Sequence, residues 1–186
     1  MLFGLQKTED IPEENASGSI SQPLNQRLST TNMIHDVLAM VQPGNCVHWV
    51  SDGEWSVHDL LLGLLQLSGP ADVFLSSYAF SEYPARLIAD LKSRGIIRSL
   101  YCLIDSRIDK RSASALTLIR NCADQLKMVN THAKVTVIEN AEFIFCIVGS
   151  ANYTTNKRYE AGMIISDRSV SCFHKKWISD ELRKEK

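Results

Sequence analysis

Apolar positions recur with two different periods along the chain, and together they predict helices alternating with strands. Four segments have apolar residues spaced three or four apart, which is typical of amphipathic helices: 33–41, 57–67, 83–94 and 112–126. Three short apolar runs lie between them and indicate buried strands: 46–50, 71–78 and 96–104. Gly95 follows the third helical segment, where a left-handed cap is expected. Strands that alternate with helices predict a sheet that is parallel at least in part.

The pattern changes after residue 126, where strand-like runs follow one another without an intervening helix. These runs are 129–138, 143–148 and 161–165, and a short turn joins the first two. A last helical segment begins at Asp167 or Ser169, both of which belong to good N-cap residue types. The sequence therefore predicts an α/β domain built on a mixed, partly parallel sheet.

Residues 1–28 differ from the rest of the chain because acidic and turn-forming residues replace the apolar periodicity. Such a segment buries too little apolar surface to offset its ordering entropy, so we predict a flexible arm over 1–28 and one domain over 29–186. The 186 residues are 45% hydrophobic and 22% charged, as in a single globular domain. No apolar run approaches the roughly 20 residues of a membrane span, and residues 1–31 lack an export-signal pattern. A cytoplasmic protein with no membrane partner is expected.

The net charge of −1 hides an uneven distribution of charged residues. Residues 1–59 carry eight acids and two bases, whereas residues 86–134 carry ten bases and four acids. A surface built from the bases of the second region would attract a polyanion. Ordinary solvated helix faces explain the same charges equally well. The bases considered are Arg86, Lys92, Arg94, Arg98, Arg107, Lys110, Arg111, Arg120 and Lys127.

The five cysteines form no C-x-x-C pair of the kind that binds zinc or exchanges thiols. Several lie among apolar residues, where a free cysteine behaves as a small hydrophobe, so the cysteines are predicted to be buried thiols. They are Cys46, Cys102, Cys122, Cys146 and Cys172. The three tryptophans, Trp49, Trp55 and Trp177, are expected to pack in the core or at its edge.

Polar residues concentrate beside the last three predicted strands. His132 and Lys134 are two apart in a segment predicted as a strand, which would place both side chains on one face. A lysine ammonium neutralises phosphate oxygens, and an uncharged imidazole nitrogen can attack phosphorus. The small residues of Gly149-Ser150-Ala151-Asn152 allow close approach to the same oxygens. Glu160, on the next strand, could accept the second N–H of the imidazole and fix its tautomer.

The order His132-x-Lys134, then Gly149-Ser150-x-Asn152, then Glu160 before an apolar strand resembles the motif of the phospholipase D superfamily. The resemblance implies a mixed α/β sheet with helices on both faces. It also implies a phosphodiesterase that works without metal or other cofactor, through a covalent phosphohistidine. Under this resemblance His132 is the nucleophile, and Lys134 and Asn152 bind the phosphoryl oxygens. Ser150 supports these ligands, and Glu160 orients an imidazole.

The family's active site contains two such motifs, whereas this chain has one. The resemblance therefore implies a homodimer in which His132 of one subunit attacks and His132 of the other protonates the leaving oxygen. The sequence departs from the family at Glu139, which stands where the family has Asp. The gap from Glu139 to Gly149 is also a few residues longer, which indicates an extended hairpin.

The leading hypothesis is a metal-independent nuclease acting on nucleic acid, with DNA favoured over RNA. The basic middle region supports this substrate class over a lipid. The alternative is a phospholipase D-like module that binds nucleic acid without cleaving it, in a DNA-processing or defence system. A third possibility is the cleavage of a small phosphodiester.

Some residues near the motif have two interpretations. Ser76 and Tyr78 end a strand that borders the predicted site, and simple strand termination explains them equally well. Residues 156–158 form either a second phosphate clamp or a solvated loop, of which the loop is preferred. Residues 174–176 of the closing helix are predicted to face solvent.

Overall fold

The computed structural model of the chain describes residues 25–28, 33–155 and 157–185. Residues 1–24 lie outside this set, so most of the predicted arm does too, and the boundary between arm and domain stays a prediction. Asn25–Leu28, at the end of that arm, form strand β1.

Eight strands and six helices occur in the described ranges. The strands are β1 (Asn25–Leu28), β2 (Asn45–Ser51), β3 (Ala71–Ser77), β4 (Ile97–Asp105), β5 (Gln125–Val129), β6 (Val135–Glu139), β7 (Ile144–Gly149) and β8 (Glu160–Ile165). The helices are α1 (Ile34–Ala39), α2 (Val57–Ser68), α3 (Glu82–Ser93), α4 (Ile108–Arg111), α5 (Ala113–Cys122) and α6 (Arg168–Arg183). None of these helices is long and apolar enough to cross a bilayer.

The described strands form one sheet in the order β1-β2-β8-β7-β6-β3-β4-β5. Parallel pairs lie at both edges, where β1 pairs with β2, and β4 pairs with both β3 and β5. Antiparallel pairs join β2, β8, β7, β6 and β3 through the middle. The prediction of a mixed, partly parallel sheet is confirmed.

Helices cover both faces of the sheet, and each face has its own hydrophobic core. On one face, helices α1, α2, α3 and α5 bury residues such as Leu60 and Ile88. On the other face, α6 buries Ile178 in a cluster with strand residues. Each fully buried side chain of this size contributes roughly 1.5–3 kcal/mol. Helix α6 begins after Asp167, one of the two predicted caps, whose carboxylate accepts the Val170 N–H at 2.9 Å.

The predicted helix 112–126 is wrong in its last turn. Helix α5 ends at Cys122, and the chain continues into β5 instead. Asp124 explains the early end, because its carboxylate accepts hydrogen bonds from the Leu100 N–H and from Lys92 Nζ, both at 2.7 Å. Both partners belong to the neighbouring α3–β4 unit, so tertiary contacts override the local helical preference.

The predicted strand 129–138 is also wrong, because two strands occupy it. Strand β5 ends at Val129 beside β4, whereas β6 begins at Val135 beside β3. Residues 130–134 therefore cross the carboxyl ends of β4 and β3. This crossing segment carries His132 and Lys134.

Three of the five cysteines, Cys46, Cys102 and Cys146, are buried as predicted. Cys122 is partly exposed, and the prediction is wrong for Cys172, which is exposed on α6. Burial raises the pKa of the Cys146 thiol to about 12, so this thiol stays protonated at neutral pH.

Candidate active site

Polar side chains at the ends of β3 and β4 hold the crossing segment 130–134. The buried carboxylate of Asp105, the last residue of β4, accepts the Thr131 N–H at 3.2 Å. The Ser76 hydroxyl, buried in β3, lies 3.4 Å from both the Thr131 hydroxyl and the Ala133 carbonyl oxygen. Because these anchors are buried, they fix the position of the two side chains that the crossing segment presents outward.

His132 and Lys134 meet in space although neither lies on a strand. Lys134 Nζ is 3.2 Å from Nδ1 of His132 and donates to the His132 carbonyl oxygen at 2.9 Å. The imidazole is exposed, whereas the lysine is partly buried. The alternation of side chains along a strand does not explain this contact, because β6 begins only at Val135. The anchored crossing brings the two groups together.

Tyr78, which follows β3, lies at the centre of a group of cationic side chains. Its ring centroid is 4.5 Å from that of the His132 imidazole. Arg111 places Cζ 4.2 Å from the same centroid and donates to the Tyr78 hydroxyl. Arg107 Cζ and Lys134 Nζ lie 5.0 and 5.6 Å from it. Each such cation–π contact contributes roughly 0.5–2 kcal/mol, so Tyr78 positions these groups and does more than end a strand.

Ser150 and Glu160 form a second polar pair where β7 ends and β8 begins. The Ser150 hydroxyl donates to Glu160 Oε2 and accepts the Ala161 N–H at 3.1 Å. Arg158 Nε donates to Glu160 Oε1 at 2.9 Å. Within one chain the Glu160 carboxylate is therefore bound by Ser150 and Arg158, and not by the imidazole of His132.

Electrostatic coupling connects Lys134 with Glu160. Partial burial lowers the pKa of the Lys134 ammonium, because desolvation disfavours its charged form. The Glu160 carboxylate opposes this shift, and the Arg158 guanidinium adds to it. The two polar pairs, His132 with Lys134 and Ser150 with Glu160, thus lie within electrostatic reach of each other.

Asn152 is buried on the loop that leaves β7. Its side-chain Oδ1 accepts the Ala79 N–H at 3.2 Å, and the Ser56 hydroxyl donates to its carbonyl oxygen at 3.4 Å. The stacked rings of Phe80 and Tyr153, 4.8 Å apart, hold the same loop against the residues that follow β3. Since the amide oxygen is engaged in the fold, the NH₂ group is the donor that Asn152 can offer to an anion.

Gly149 has a packing role that the sequence motif did not indicate. A Cβ atom at Gly149 would lie 2.8 Å from the Ala161 carbonyl oxygen. A Cβ atom at Gly162, its partner on β8, would lie 2.6 Å from the ring of Trp49. Trp49 is buried, as predicted, and its ring lies 5.1 Å from that of Trp55. The two glycines make room for this indole beneath the end of β7.

Glu139, the departure from the family motif, lies at the opposite end of β6 from the crossing segment. Its carboxylate binds Lys175 of α6, and Arg98 donates to its carbonyl oxygen at 3.5 Å and to the Asp72 carboxylate at 3.3 Å. Lys175 is therefore paired and only partly exposed, and His174 is half-buried, so the prediction that both face solvent is wrong. Glu139 stabilises the packing of α6 and does not contact His132 or Lys134.

Carboxylates neutralise most of the bases that were predicted to form a basic surface. Within the described chain, Lys110 and Arg111 of α4, together with Arg120, have no carboxylate within salt-bridge distance. Unneutralised positive charge near the candidate site is therefore concentrated beside Tyr78. The neutralising pairs are Arg86–Glu82, Lys92–Asp124, Arg94–Asp90, Arg98–Asp72, Arg107–Asp105 and Lys127–Glu181.

The sequence did not single out Asp105 or the short helix α4. Arg107 binds the Asp105 carboxylate with Nε at 2.6 Å and Nη2 at 2.8 Å. These hydrogen bonds hold the pKa of Asp105 down at about 2. One available signal was the position of Asp105 at the carboxyl end of a parallel strand, where open α/β sheets bind ligands.

The groups that could bind a ligand here are donors suited to an anion. In the part of the chain that the structure describes, no three His, Cys, Asp or Glu side chains are arranged to hold a metal ion. Lys134 Nζ lies 3.2 Å from Nδ1 of His132, and the Arg111 guanidinium contacts the same Tyr78 ring as that imidazole. This arrangement fits a phosphate group.

Comparison with known proteins relates the fold to the phospholipase D family. No protein-family model matches the sequence, and no curated protein matches it significantly. The solved structure of Nuc, a phospholipase D family member from Salmonella typhimurium, has a TM-score of 0.58 at 20% identity, over 73% of this chain and 93% of Nuc. NucT from Helicobacter pylori has a TM-score of 0.53 at 19% identity, over 73% of this chain and 95% of NucT.

A third solved structure is similar over more of this chain. TrmBL2, an archaeal chromatin protein described with a novel mode of DNA binding, has a TM-score of 0.50 at 16% identity. The match covers 82% of this chain and 58% of TrmBL2. Together with the mixed sheet and its two helical layers, the comparisons confirm the predicted phospholipase D-like fold.

Proposed function

We propose that this chain, which has a phospholipase D-like fold, is a metal-independent nuclease that hydrolyses phosphodiester bonds of nucleic acid through a phosphohistidine. The observation that carries the proposal is the contact of Lys134 Nζ with Nδ1 of an exposed His132, at 3.2 Å, on an anchored segment at the carboxyl ends of β3 and β4. An exposed nucleophile beside a cation is the arrangement that attack on an anionic phosphodiester requires.

The proposed reaction has two steps, in which His132 is the nucleophile. Nε2 of His132 attacks phosphorus, so that a P–N bond forms and the P–O bond to the leaving alcohol breaks. The leaving oxygen takes a proton from the partner subunit's His132. A water molecule then attacks phosphorus, transfers a proton to the partner subunit's His132, and breaks the P–N bond to release a phosphate monoester. Lys134, Asn152 and Ser150 are assigned to the phosphoryl oxygens.

The Lys134 contact determines which imidazole nitrogen carries the proton. An ammonium group can only donate, so Nδ1 of His132 accepts and a neutral ring carries its proton on Nε2. The copy that protonates the leaving oxygen has to be an imidazolium with protons on both nitrogens, because loss of the Nε2 proton then leaves a neutral ring. The attacking copy needs an unprotonated Nε2 and therefore an acceptor for Nδ1–H, a role that we assign to Glu160. Because Glu160 is bound by Ser150 and Arg158 in a single chain, it has to reach the imidazole in the assembled site.

A homodimer follows from the need for a second proton-transferring histidine. The described chain places one exposed imidazole at the site, whereas the reaction needs one group to attack and another to protonate the leaving oxygen. A two-fold axis beside the crossing segment would bring two copies of His132 to one phosphate. We further propose DNA as the substrate, in the cytoplasm.

Cleavage without metal tests the proposal directly. Plasmid and single-stranded DNA are incubated with the protein in EDTA, alongside the variants His132→Asn and His35→Asn. His35 is an exposed histidine of α1 and serves as the matched control. We expect the wild type and His35→Asn to cleave and His132→Asn to be inactive. Cleavage that requires magnesium, or that survives in His132→Asn, contradicts the mechanism.

The dimer is tested separately by comparing activity with the state of assembly. Sedimentation equilibrium gives the dimer fraction at each protein concentration, and the specific activity should follow that fraction. Full activity in a preparation that is monomeric would overturn the shared active site while leaving His132 as the nucleophile.

A nucleic-acid-binding module without turnover is the second candidate. The similarity to TrmBL2, described as a DNA-binding chromatin protein, and the replacement of the family Asp by Glu139 favour it. Under this function the wild type binds DNA with a steep salt dependence and cleaves nothing. His132→Asn would then bind as well as the wild type, whereas Lys134→Gln would bind more weakly.

A further inference from the structure

Four cationic side chains surround the proposed site, and they differ in whether a carboxylate neutralises them. Arg107 is held by Asp105, and Arg158 is held by Glu160. Lys134 and Arg111 have no carboxylate within salt-bridge distance in the described ranges. Lys134 contacts the nucleophilic imidazole, so its charge belongs to the phosphate under attack. The charge of Arg111 has no such assignment in the proposed reaction.

Arg111 is held in place by Tyr78. One guanidinium N–H donates to the Tyr78 hydroxyl, and Cζ lies 4.2 Å from the ring centroid. A guanidinium has five N–H donors, so most of them remain available to an anion. No hydrogen bond joins Arg111 to His132 or Lys134 among the described contacts. The guanidinium and the imidazole approach the ring from different elements, α4 and the crossing segment, so the ring sets the spacing between them.

The ring of Tyr78 is already in contact with other groups and is not a free surface for a nucleobase. The imidazole of His132 lies at 4.5 Å and the guanidinium of Arg111 at 4.2 Å, with two more cations at 5.0 and 5.6 Å. Stacking of a base would have to displace one of them. Tyr78 is therefore a positioning residue.

We propose that Arg111 binds the phosphate next to the one that His132 attacks, and that the site is therefore selective for substrates with at least two successive phosphodiester groups. The inference rests on the proposed function, because it takes His132 and Lys134 to receive a phosphodiester. Arginine suits this role because its planar fork binds phosphate oxygens in pairs. The substrate class is a polynucleotide, and a phosphodiester with a single phosphate would engage only half of the site.

Thymidine oligonucleotides that differ by one phosphate test the proposal. The dinucleotide carries one phosphodiester and the trinucleotide carries two. Arg111→Gln is compared with Lys110→Gln, which removes the same charge one residue earlier on the same exposed helix. We expect Arg111→Gln to lower kcat/KM for the trinucleotide about tenfold, mainly through KM, since charge-assisted hydrogen bonds to phosphate are strong. The dinucleotide should change less than about twofold, because its single phosphate does not reach Arg111.

Binding provides a second measurement that does not depend on turnover. For a longer thymidine oligonucleotide, the slope of log affinity against log salt should fall by about one in Arg111→Gln and by much less in Lys110→Gln. Tyr78→Phe keeps the ring and removes the hydroxyl contact with Arg111, so it should raise KM for the trinucleotide by less than Arg111→Gln does. Thermal unfolding of each variant checks that the fold is retained.

The possible outcomes separate this inference from the proposed function. If Arg111→Gln affects the dinucleotide and the trinucleotide equally, or affects neither, the second phosphate site is overturned while cleavage in EDTA still supports the nuclease. If the wild type cleaves neither the two oligonucleotides nor plasmid and single-stranded DNA in EDTA, the nuclease proposal fails. The binding slope of Arg111→Gln then decides whether the phosphate site exists.

Discussion

The two ends of strand β6 differ in whether carboxylates neutralise all of the cationic side chains discussed there, or only some of them, such as Arg107 and Arg158. At the Glu139 end, Lys175 binds Glu139 and Arg98 binds Asp72. At the Val135 end, Lys134 and, beside Tyr78, Arg111 have no carboxylate partner in the described part of the chain. One end is neutralised by the protein itself, and the other is left with positive charge.

This difference shows how a sheet separates structural from ligand-binding charges. Cations that lie close together without counter-charges destabilise a folded protein, because like charges repel. An arrangement of this kind is retained where a bound anion relieves the repulsion. We therefore assign the Glu139 end to packing of α6 and the crossing-segment end to binding of phosphate.

The largest expected effect comes from removing the imidazole of His132. His132→Ala should lower the rate of DNA cleavage by at least about 10³-fold, because loss of a nucleophile removes the chemical step itself. The side chain is exposed, so the unfolding temperature should stay the same. Single-turnover cleavage and circular dichroism measure the two quantities. A variant that is inactive because it is unfolded would not support the assignment.

Lys134→Gln is expected to have the next largest effect. Loss of the ammonium should lower kcat about 10²-fold, since one pre-organised donor at a developing charge is worth that much in comparable sites. Lys175→Gln at the other end of β6 is the matched control and should keep full activity. Equal losses of activity in the two variants would remove the distinction between the two ends.

Asp105→Asn should lower stability in a pH-dependent way. Arg107 depresses the pKa of Asp105 from 3.8 to about 2, so the ionised carboxylate stabilises the folded state above about pH 4. That stabilisation is lost as the pH falls from about 4 towards 2, where the folded protein also becomes protonated. We expect a difference of about 1–2 kcal/mol between wild type and variant near pH 6, decreasing below pH 4. Urea unfolding at several pH values measures it, and a difference that does not change with pH would contradict this account.

The smallest expected effect is on stability at the neutralised end. Lys175→Gln should cost roughly 0.5–1 kcal/mol, since the ion pair with Glu139 is partly exposed. Adding Glu139→Gln in the same chain should cost little more, because the pair is already broken. Chemical denaturation of the single and double variants gives the coupling energy, and additive losses would show that the two side chains act independently.

Local sequence patterns predicted most of the helices and strands. Two predictions were wrong at points where contacts with residues far away in the sequence determine the structure. Helices α2 and α3 match the predicted segments 57–67 and 83–94 closely, and Gly95 adopts the expected positive φ of 71°. The predicted end of α5 was wrong because the Asp124 carboxylate accepts hydrogen bonds from Lys92 and from the Leu100 N–H. A local pattern does not reveal these contacts. The prediction of one continuous strand over 129–138 was wrong for the same reason, because the order of strands in the sheet determines where the chain crosses from β5 to β6.

The motif residues of the candidate site could be predicted from the sequence, whereas the side chains that surround them could not. His132, Lys134, Ser150 and Glu160 stand at recognisable spacing in the sequence, whereas Tyr78 was ambiguous. The cationic group around Tyr78 draws on β3, α4 and the crossing segment, which are far apart along the chain. No spacing rule connects such segments, because their proximity depends on the order of strands in the sheet.

The amino-acid sequence by itself determined the period of most elements, the mixture of parallel and antiparallel strands, and the residue types that could bind a phosphate. These properties follow from local sterics and from the burial of apolar faces, which neighbouring residues control. Tertiary structure alone decided the ion pairs between separate elements, such as Lys92–Asp124 and Lys175–Glu139, and the meeting of His132, Lys134 and Arg111 around Tyr78. These contacts depend on distances of a few ångströms between side chains from separate strands and helices, and such distances exist only once the sheet has assembled.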